Sequence, residues 1–162
     1  MGTQSFRVHV AKDYLKFNAA HFMAYKGFRE PLHGHNYRVS VDVEGELGRE
    51  GYVLDFGTVK EVARRICKRL DERVLIPMLS DCLDIREDGG QVVVCYEADE
   101  FRFPRADIVF VPIVHSSAEE LARFLVGELR RELHAQGVTA LHAIQVGVEE
   151  TVGQAAYCRE EA

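Results

Sequence analysis

The sequence predicts an α+β fold in a single domain, with a sheet that carries two helices on one face. Three observations predict it. Residues near the N-terminus alternate apolar and polar with period two, two later stretches lengthen to the period of an amphipathic helix, and alternation returns near the C-terminus. At 162 residues, 47% of them hydrophobic, the chain is long enough to bury one core and leaves little room for a second domain.

The first alternating run puts Phe6, Val8 and Val10 on one face, and Phe17, Ala19 and His21 repeat the pattern further on. From His33 it resumes: His33, His35, Tyr37, Val39, Val41 and Val43 share a face opposite Asn36, Arg38, Ser40, Asp42 and Glu44, as in a half-buried strand. These segments are expected to pair as a long hairpin across a loop at 22–32 that holds Gly27 and Pro31. After Gly51, the residues Val59, Val62, Ala63, Ile66 and Leu70 follow helical spacing. A second helix is expected near Ser117, where Ser117 to Glu120 reads as a capping box ahead of Leu121, Leu125, Leu129 and Leu133. Between the helices, residues 91–114 read as short strands around a turn with two prolines. A strand from Ala143 to Glu150, burying Ile144, Val146 and Val148, and a short one at Ala155 to Cys158 close the chain. Every strand neighbour in this order can be reached by an antiparallel connection, and the sheet face without helices then needs cover or polar residues.

Composition excludes several partners. No stretch approaches the roughly 18 unbroken apolar residues of a membrane span, and the first twenty residues lack the apolar run of a signal peptide. The net charge is −6 with dispersed basic residues, so nucleic acid and anionic membrane are discounted. Cys67, Cys82, Cys95 and Cys158 form no CxxC pair in a chain too large to need disulfide staples. That pattern implies free thiols in a reducing cytoplasm.

Two of the alternating runs carry histidines. His33 and His35 share the inward parity of Tyr37, Val39 and Val41, and His21 ends a run that can lie beside them. Buried imidazoles require partners. Three histidines with no fourth protein ligand fit a catalytic Zn²⁺ with an open position; on the residues alone, they equally fit core histidines satisfied by backbone carbonyls. His9, His115, His134 and His142 read as ordinary strand, cap-adjacent or surface residues.

Phe17-Asn-Ala-Ala-His21, Leu32-His-Gly-His-Asn-Tyr37, Gly51-Tyr-Val-Leu-Asp-Phe56, Ser117-Ala-Glu-Glu-Leu-Ala122 and Val148-Glu-Glu-Thr151 resemble, in collinear order, the 6-pyruvoyltetrahydropterin synthase and 6-carboxytetrahydropterin synthase family. The resemblance implies a tunnelling fold: an antiparallel sheet backed by two helices, closing into barrels as a homohexamer. It implies one pterin-synthase-like domain over 1–162, with an inserted hairpin at about 80–114. It also implies Zn²⁺ on His21, His33 and His35, a pterin as substrate, and Glu150 as the carboxylate that grips the pterin ring. Glu149 is the alternative anchor, with Thr151 and Ser117 as further substrate-binding positions.

Two departures shape the expected chemistry. The family's catalytic cysteine, four residues before HGH, is Arg29 here, and no cysteine precedes Ile66. The family's Asp-His pair after the first helix is replaced by Asp71-Glu72. Glu30-Pro-Leu-His-Gly-His35 instead resembles a subgroup with an ExxHGH motif that cleaves the dihydroneopterin side chain to 6-hydroxymethyl-dihydropterin. The expectation is therefore a zinc-dependent lyase acting on dihydroneopterin or its triphosphate with Glu30 as base, and with Asp71 and Glu72 as further candidates for proton transfer. The alternatives are 6-pyruvoyl- or 6-carboxy-tetrahydropterin synthase activity and a zinc- and pterin-binding protein without catalysis.

Overall fold

A computed structural model describes residues 4–161. Its main sheet is built around two long strands, β1 (Phe6–His21) and β4 (His33–Gly45), paired antiparallel from Phe6↔Gly45 to His21↔His33. The register breaks between Ala11 and Lys16. This irregularity explains why the inward parity is even at Val8 and Val10 and odd at Phe17, Ala19 and His21: extra residues in one strand move its later side chains to the opposite face. The expected loop at 22–32 contains a small hairpin of its own, β2 (Ala24–Tyr25) and β3 (Phe28–Arg29).

Helix α1 (Phe56–Leu70) starts three residues before the first periodic apolar residue, because the Asp55 carboxylate accepts the Thr58 N–H and caps it. Strands β5 (Arg73–Pro77), β6 (Asp84–Asp88), β7 (Gln91–Tyr96), β8 (Asp99–Pro104) and β9 (Ile108–Val111) follow, with a short 3₁₀ turn at Arg105–Asp107. Helix α2 (Ala118–Ala135) is capped by Ser117, whose hydroxyl accepts the Glu120 N–H. Strands β10 (Leu141–Thr151) and β11 (Gln154–Glu161) complete the chain, both longer than their alternation suggests.

The six-stranded sheet runs β11-β10-β4-β1-β5-β9. It is mixed and not purely antiparallel: β5 joins β1, and β9 joins β5, in parallel. The short run Arg73–Pro77 carries no visible alternation, since Leu75, Ile76 and Pro77 are all buried. A continuous apolar run is what a strand covered on both faces requires. In place of a single inserted hairpin, residues 84–104 form a three-stranded sheet, β6-β7-β8, and β9 returns to the main sheet.

Both helices lie on one face of the main sheet. They bury Val59, Val62, Ile66 and Leu70 from α1 and Leu121, Leu125, Leu129 and Leu133 from α2 against Phe17, Tyr37, Val39, Val41 and Val146. Each such leucine contributes about 1.5 to 3 kcal/mol by leaving water. A second cluster, Phe22, Ala24, Ile76, Val92, Val94, Tyr96 and Ile108, fastens the three-stranded insertion to the β2–β3 hairpin. The helix-free face is polar. There Asp42 accepts hydrogen bonds from Arg7 (2.7 Å) and Gln145 (3.3 Å) and pairs with His9 (2.9 Å), while Arg159 grips both oxygens of Glu44. None of the described helices is long and apolar enough to cross a membrane.

Candidate active site

The end of the β1–β4 pair brings three histidines together. His21 and His33 are direct cross-strand partners, and His35 lies two residues further along the same face. Side chains so placed have Cβ atoms about 4.5 to 5.5 Å apart. The three ring centroids are separated by 4.6, 4.9 and 5.3 Å, and one nitrogen from each lies within 4.8 Å of the others. Gly34 makes the close pairing possible, since a Cβ there would stand 3.1 Å from the Ala19 carbonyl oxygen.

Hydrogen bonding sets the tautomers. His21 Nδ1 is 2.9 Å from the Ser116 carbonyl oxygen, and His33 Nδ1 is 2.8 Å from that of Pro31. A carbonyl only accepts, so each Nδ1 carries the proton and each Nε2 presents a lone pair. His21 is 2% exposed, and its Nε2 has no hydrogen-bond partner among the described residues. Burial above all lowers the His21 pKa, so this imidazole is neutral at neutral pH.

The group facing these lone pairs is another acceptor. Glu150 Oε1, at the end of β10, lies 3.4 Å from His21 Nε2 and 3.5 Å from His35 Nε2. It also accepts a hydrogen bond from the Tyr37 hydroxyl at 3.2 Å. Burial, and after it the Glu150 charge, pushes the Tyr37 hydroxyl far above its ordinary range, so it remains a donor. The neutral, buried lone pair of His21 facing a carboxylate oxygen requires a cation or a proton between them. Carbonyls holding the far nitrogens of ligand histidines are a usual outer shell of a metal site. The cluster therefore fits a metal ion.

Glu30 follows β3. Its carboxylate accepts the Met23 N–H at 3.0 Å, and its own N–H donates to the Met23 carbonyl at 2.9 Å. The other carboxylates have different partners. Glu149 accepts the Gly153 N–H at 2.9 Å, in the turn where Thr151 donates to Gln154 at 2.8 Å. Asp71 caps the C-terminal end of α1, accepting from the Asn18 N–H at 3.0 Å and pairing with Lys68, and the Asn18 bond above all holds its carboxyl below the ordinary range. Glu72, exposed and in a left-handed conformation, donates its N–H to the Asn18 carbonyl. Ser117 is engaged in capping α2. In the core of α1, Cys67 is 2% exposed, and burial pushes its thiol up to about 12, which makes it inert.

The sequence reading overlooked two contributors. Tyr37 shares the parity of His33 and His35 and carried a signal that was read only as packing. Ser116, fully buried, accepts from His21 through its carbonyl and donates its hydroxyl to the Phe22 carbonyl at 3.0 Å. It lies 95 residues from His21, and no local pattern marks it.

Comparison with known proteins agrees with this geometry. Residues 10–161 match the family described as 6-pyruvoyl tetrahydropterin synthase. A putative 6-carboxy-5,6,7,8-tetrahydropterin synthase of Methanocaldococcus jannaschii is 29% identical over 147 residues, 90% of each chain. The dihydroneopterin monophosphate aldolase of Pyrococcus furiosus is 44% identical over 59 residues, 36% of this chain and 50% of that protein. The crystal structure of 6-pyruvoyltetrahydropterin synthase from Plasmodium vivax superposes with a TM-score of 0.95 at 38% identity, covering 98% of this chain and 99% of that one. Two further structures of that protein carry a glutamate described as a catalytic residue replaced by alanine or by cysteine.

Proposed function

The chain belongs to the 6-pyruvoyl tetrahydropterin synthase family of pterin enzymes, and on that premise we propose that it is a zinc-dependent lyase acting on the side chain of dihydroneopterin or one of its phosphates. The observation that carries the reading is the convergence of three imidazoles beside Glu150, with Glu30 preceding the HGH segment in the chain. Three nitrogen ligands with room for a fourth suit Zn²⁺ in a catalytic site. Bound there, the ion would polarise the substrate's side-chain hydroxyls and lower their pKa.

Glu30 is the general base. It accepts the proton of the hydroxyl on the second side-chain carbon, and the bond between the first and second carbons breaks. The second carbon becomes the carbonyl of the released aldehyde. The electron pair moves into the ring C=N of the dihydropterin, and return of the proton to the first carbon leaves 6-hydroxymethyl-dihydropterin. No oxidant is needed. Glu150, held by Tyr37 beside the imidazoles, binds the side-chain end of the pterin in this reading, in place of the ring grip expected from sequence. Support for carbon–carbon cleavage comes from the EPLHGH sequence together with the similarity to the Pyrococcus aldolase. Support for a glutamate base comes from the Plasmodium relative, whose catalytic residue is a glutamate.

A second reading, 6-pyruvoyltetrahydropterin formation, is favoured by the name of that same relative, which matches over 98% of this chain. Product identification decides between the two. Incubation with dihydroneopterin and with its mono- and triphosphates should yield 6-hydroxymethyl-dihydropterin and an aldehyde, and Glu30→Ala should keep zinc while turnover falls by roughly 10² to 10⁴. A 6-pyruvoyl or 6-carboxy product would establish the alternative, and near-normal turnover in Glu30→Ala would return the proton transfers to Asp71, Glu72 or His115.

A further inference from the structure

The three-stranded insertion has no part in the chemistry described so far, yet it is joined to the segment that carries Glu30. Arg29, which stands where the family's cysteine would be, makes the connection. Its Nε and Nη2 both donate to Asp99 Oδ2 at the start of β8, at 3.0 and 2.7 Å. Its guanidinium carbon lies 5.0 Å from the centre of the Phe101 ring, and Nη1 donates to the Glu30 carbonyl at 2.8 Å. One side chain therefore holds the backbone of Glu30 at one end and the insertion at the other.

The remaining contacts point the same way. Phe22, which follows His21, stacks on Phe101 with ring centres 4.9 Å apart, and the Tyr96 hydroxyl donates to the Tyr25 carbonyl at 3.1 Å. Met23 and Glu30 close the β2–β3 hairpin by exchanging hydrogen bonds. A hairpin whose strands are two residues long is too short to hold its own geometry in water. Its order must come from what it packs on, and that is the insertion.

We infer that the β6–β8 insertion is a brace that sets the position of Glu30, and that Arg29 and Asp99 are the positioning residues that transmit it. This rests on Glu30 being the base. Arg29 suits the task because its planar fork engages the Asp99 carboxylate, the Phe101 ring face and the Glu30 carbonyl together, which a lysine could not do. Positioning residues act on rate through geometry, since a displacement of about 1 Å in a reacting group can cost about a hundredfold.

The experiment compares Glu30→Ala, Asp99→Asn, Arg29→Met and the exchanged pair Arg29→Asp/Asp99→Arg, all on the full zinc-loaded chain. Three quantities are read: kcat and KM separately, zinc content, and amide hydrogen exchange over residues 22–32 against residues 59–70. Asp99→Asn should lower kcat about three- to tenfold and Arg29→Met about ten- to a hundredfold. KM and zinc content should stay near wild type. Exchange at 22–32 should accelerate while 59–70 stays protected, and the exchanged pair should recover part of both the rate and the protection. Faster exchange at 22–32 with unchanged kcat would reduce the brace to a structural role and overturn the inference, as would unchanged exchange in both single variants. Loss of activity in Glu30→Ala alone, with the Arg29 and Asp99 variants fully active, sinks the inference and leaves the base assignment standing. Full activity in Glu30→Ala sinks both.

Discussion

His21 Nε2 and Glu150 Oε1 face one another at 3.4 Å across β4, from the ends of β1 and β10, although His21 Nδ1 already carries the ring proton. Two acceptors at that separation need a positive charge between or beside them. The buried lone pair of His21, and not the histidine count, is what fits this site to a metal ion.

The first prediction concerns that metal. Protein purified without added zinc should contain about one equivalent per chain, and the His33→Ala/His35→Ala double variant should contain essentially none. Ligand histidines must be neutral, and burial lowers the His21 pKa. Zinc should therefore be released as acidification protonates the ligand imidazoles. Full occupancy in the double variant, by elemental analysis, would falsify the ligand assignment.

The second separates the two glutamates of β10. Glu150→Gln removes the charge facing the imidazoles and should weaken pterin binding by about 1.5 to 3 kcal/mol, which is roughly ten- to a hundredfold in Kd. Glu149→Gln alters only an acceptor for the Gly153 N–H and should change Kd by less than about threefold. Titration calorimetry on both variants checks this, and the reverse ranking would move the role to Glu149.

The third is a pH dependence of stability that arises away from the site. Burial would raise the Asp42 carboxyl, but hydrogen bonds from Arg7 and His9 outweigh it and hold its pKa below the ordinary value. A carboxylate depressed in the folded state binds fewer protons there than in the unfolded chain. Its stabilisation is therefore complete above the unfolded value near 3.9 and is lost as pH falls through the lower, folded value. Asp42→Asn should cost about 1 to 2 kcal/mol at pH 7 and flatten the acid limb of a denaturation series. An unchanged acid limb would show that Asp42 is not linked to folding in this way.

The fourth concerns the homohexamer that the family resemblance implies. The sheet ends on β11 and β9, and an unpaired edge on a sheet of this size calls for a partner. Light scattering should give a mass about six times the 18.3 kDa of one chain. A stable monomer at micromolar concentration would rule the assembly out.

Local pattern determined a good deal of this protein. Side-chain period identified both helices and the two long strands, because 3.6- and 2-residue repeats place apolar groups on one face whatever the rest of the chain does. The parity of His33, His35 and Tyr37, with Gly34 between the histidines, put both imidazoles on the face that holds His21 because a strand alternates strictly, although neither is fully buried there. Tertiary structure decided what depends on distant segments meeting. The tautomer of His21 comes from Ser116, 95 residues away. Alternation along β10 already puts Glu150, and not Glu149, on the face of Val146 and Val148, but its meeting with the histidines comes from how β10 lies on β4. The parallel seating of β5 and the attachment of the insertion to Arg29 were equally invisible, since five continuous apolar or charged residues and a lone arginine have no periodicity to read. Such pairings are set by which surfaces can be buried together, and that is a property of the whole fold.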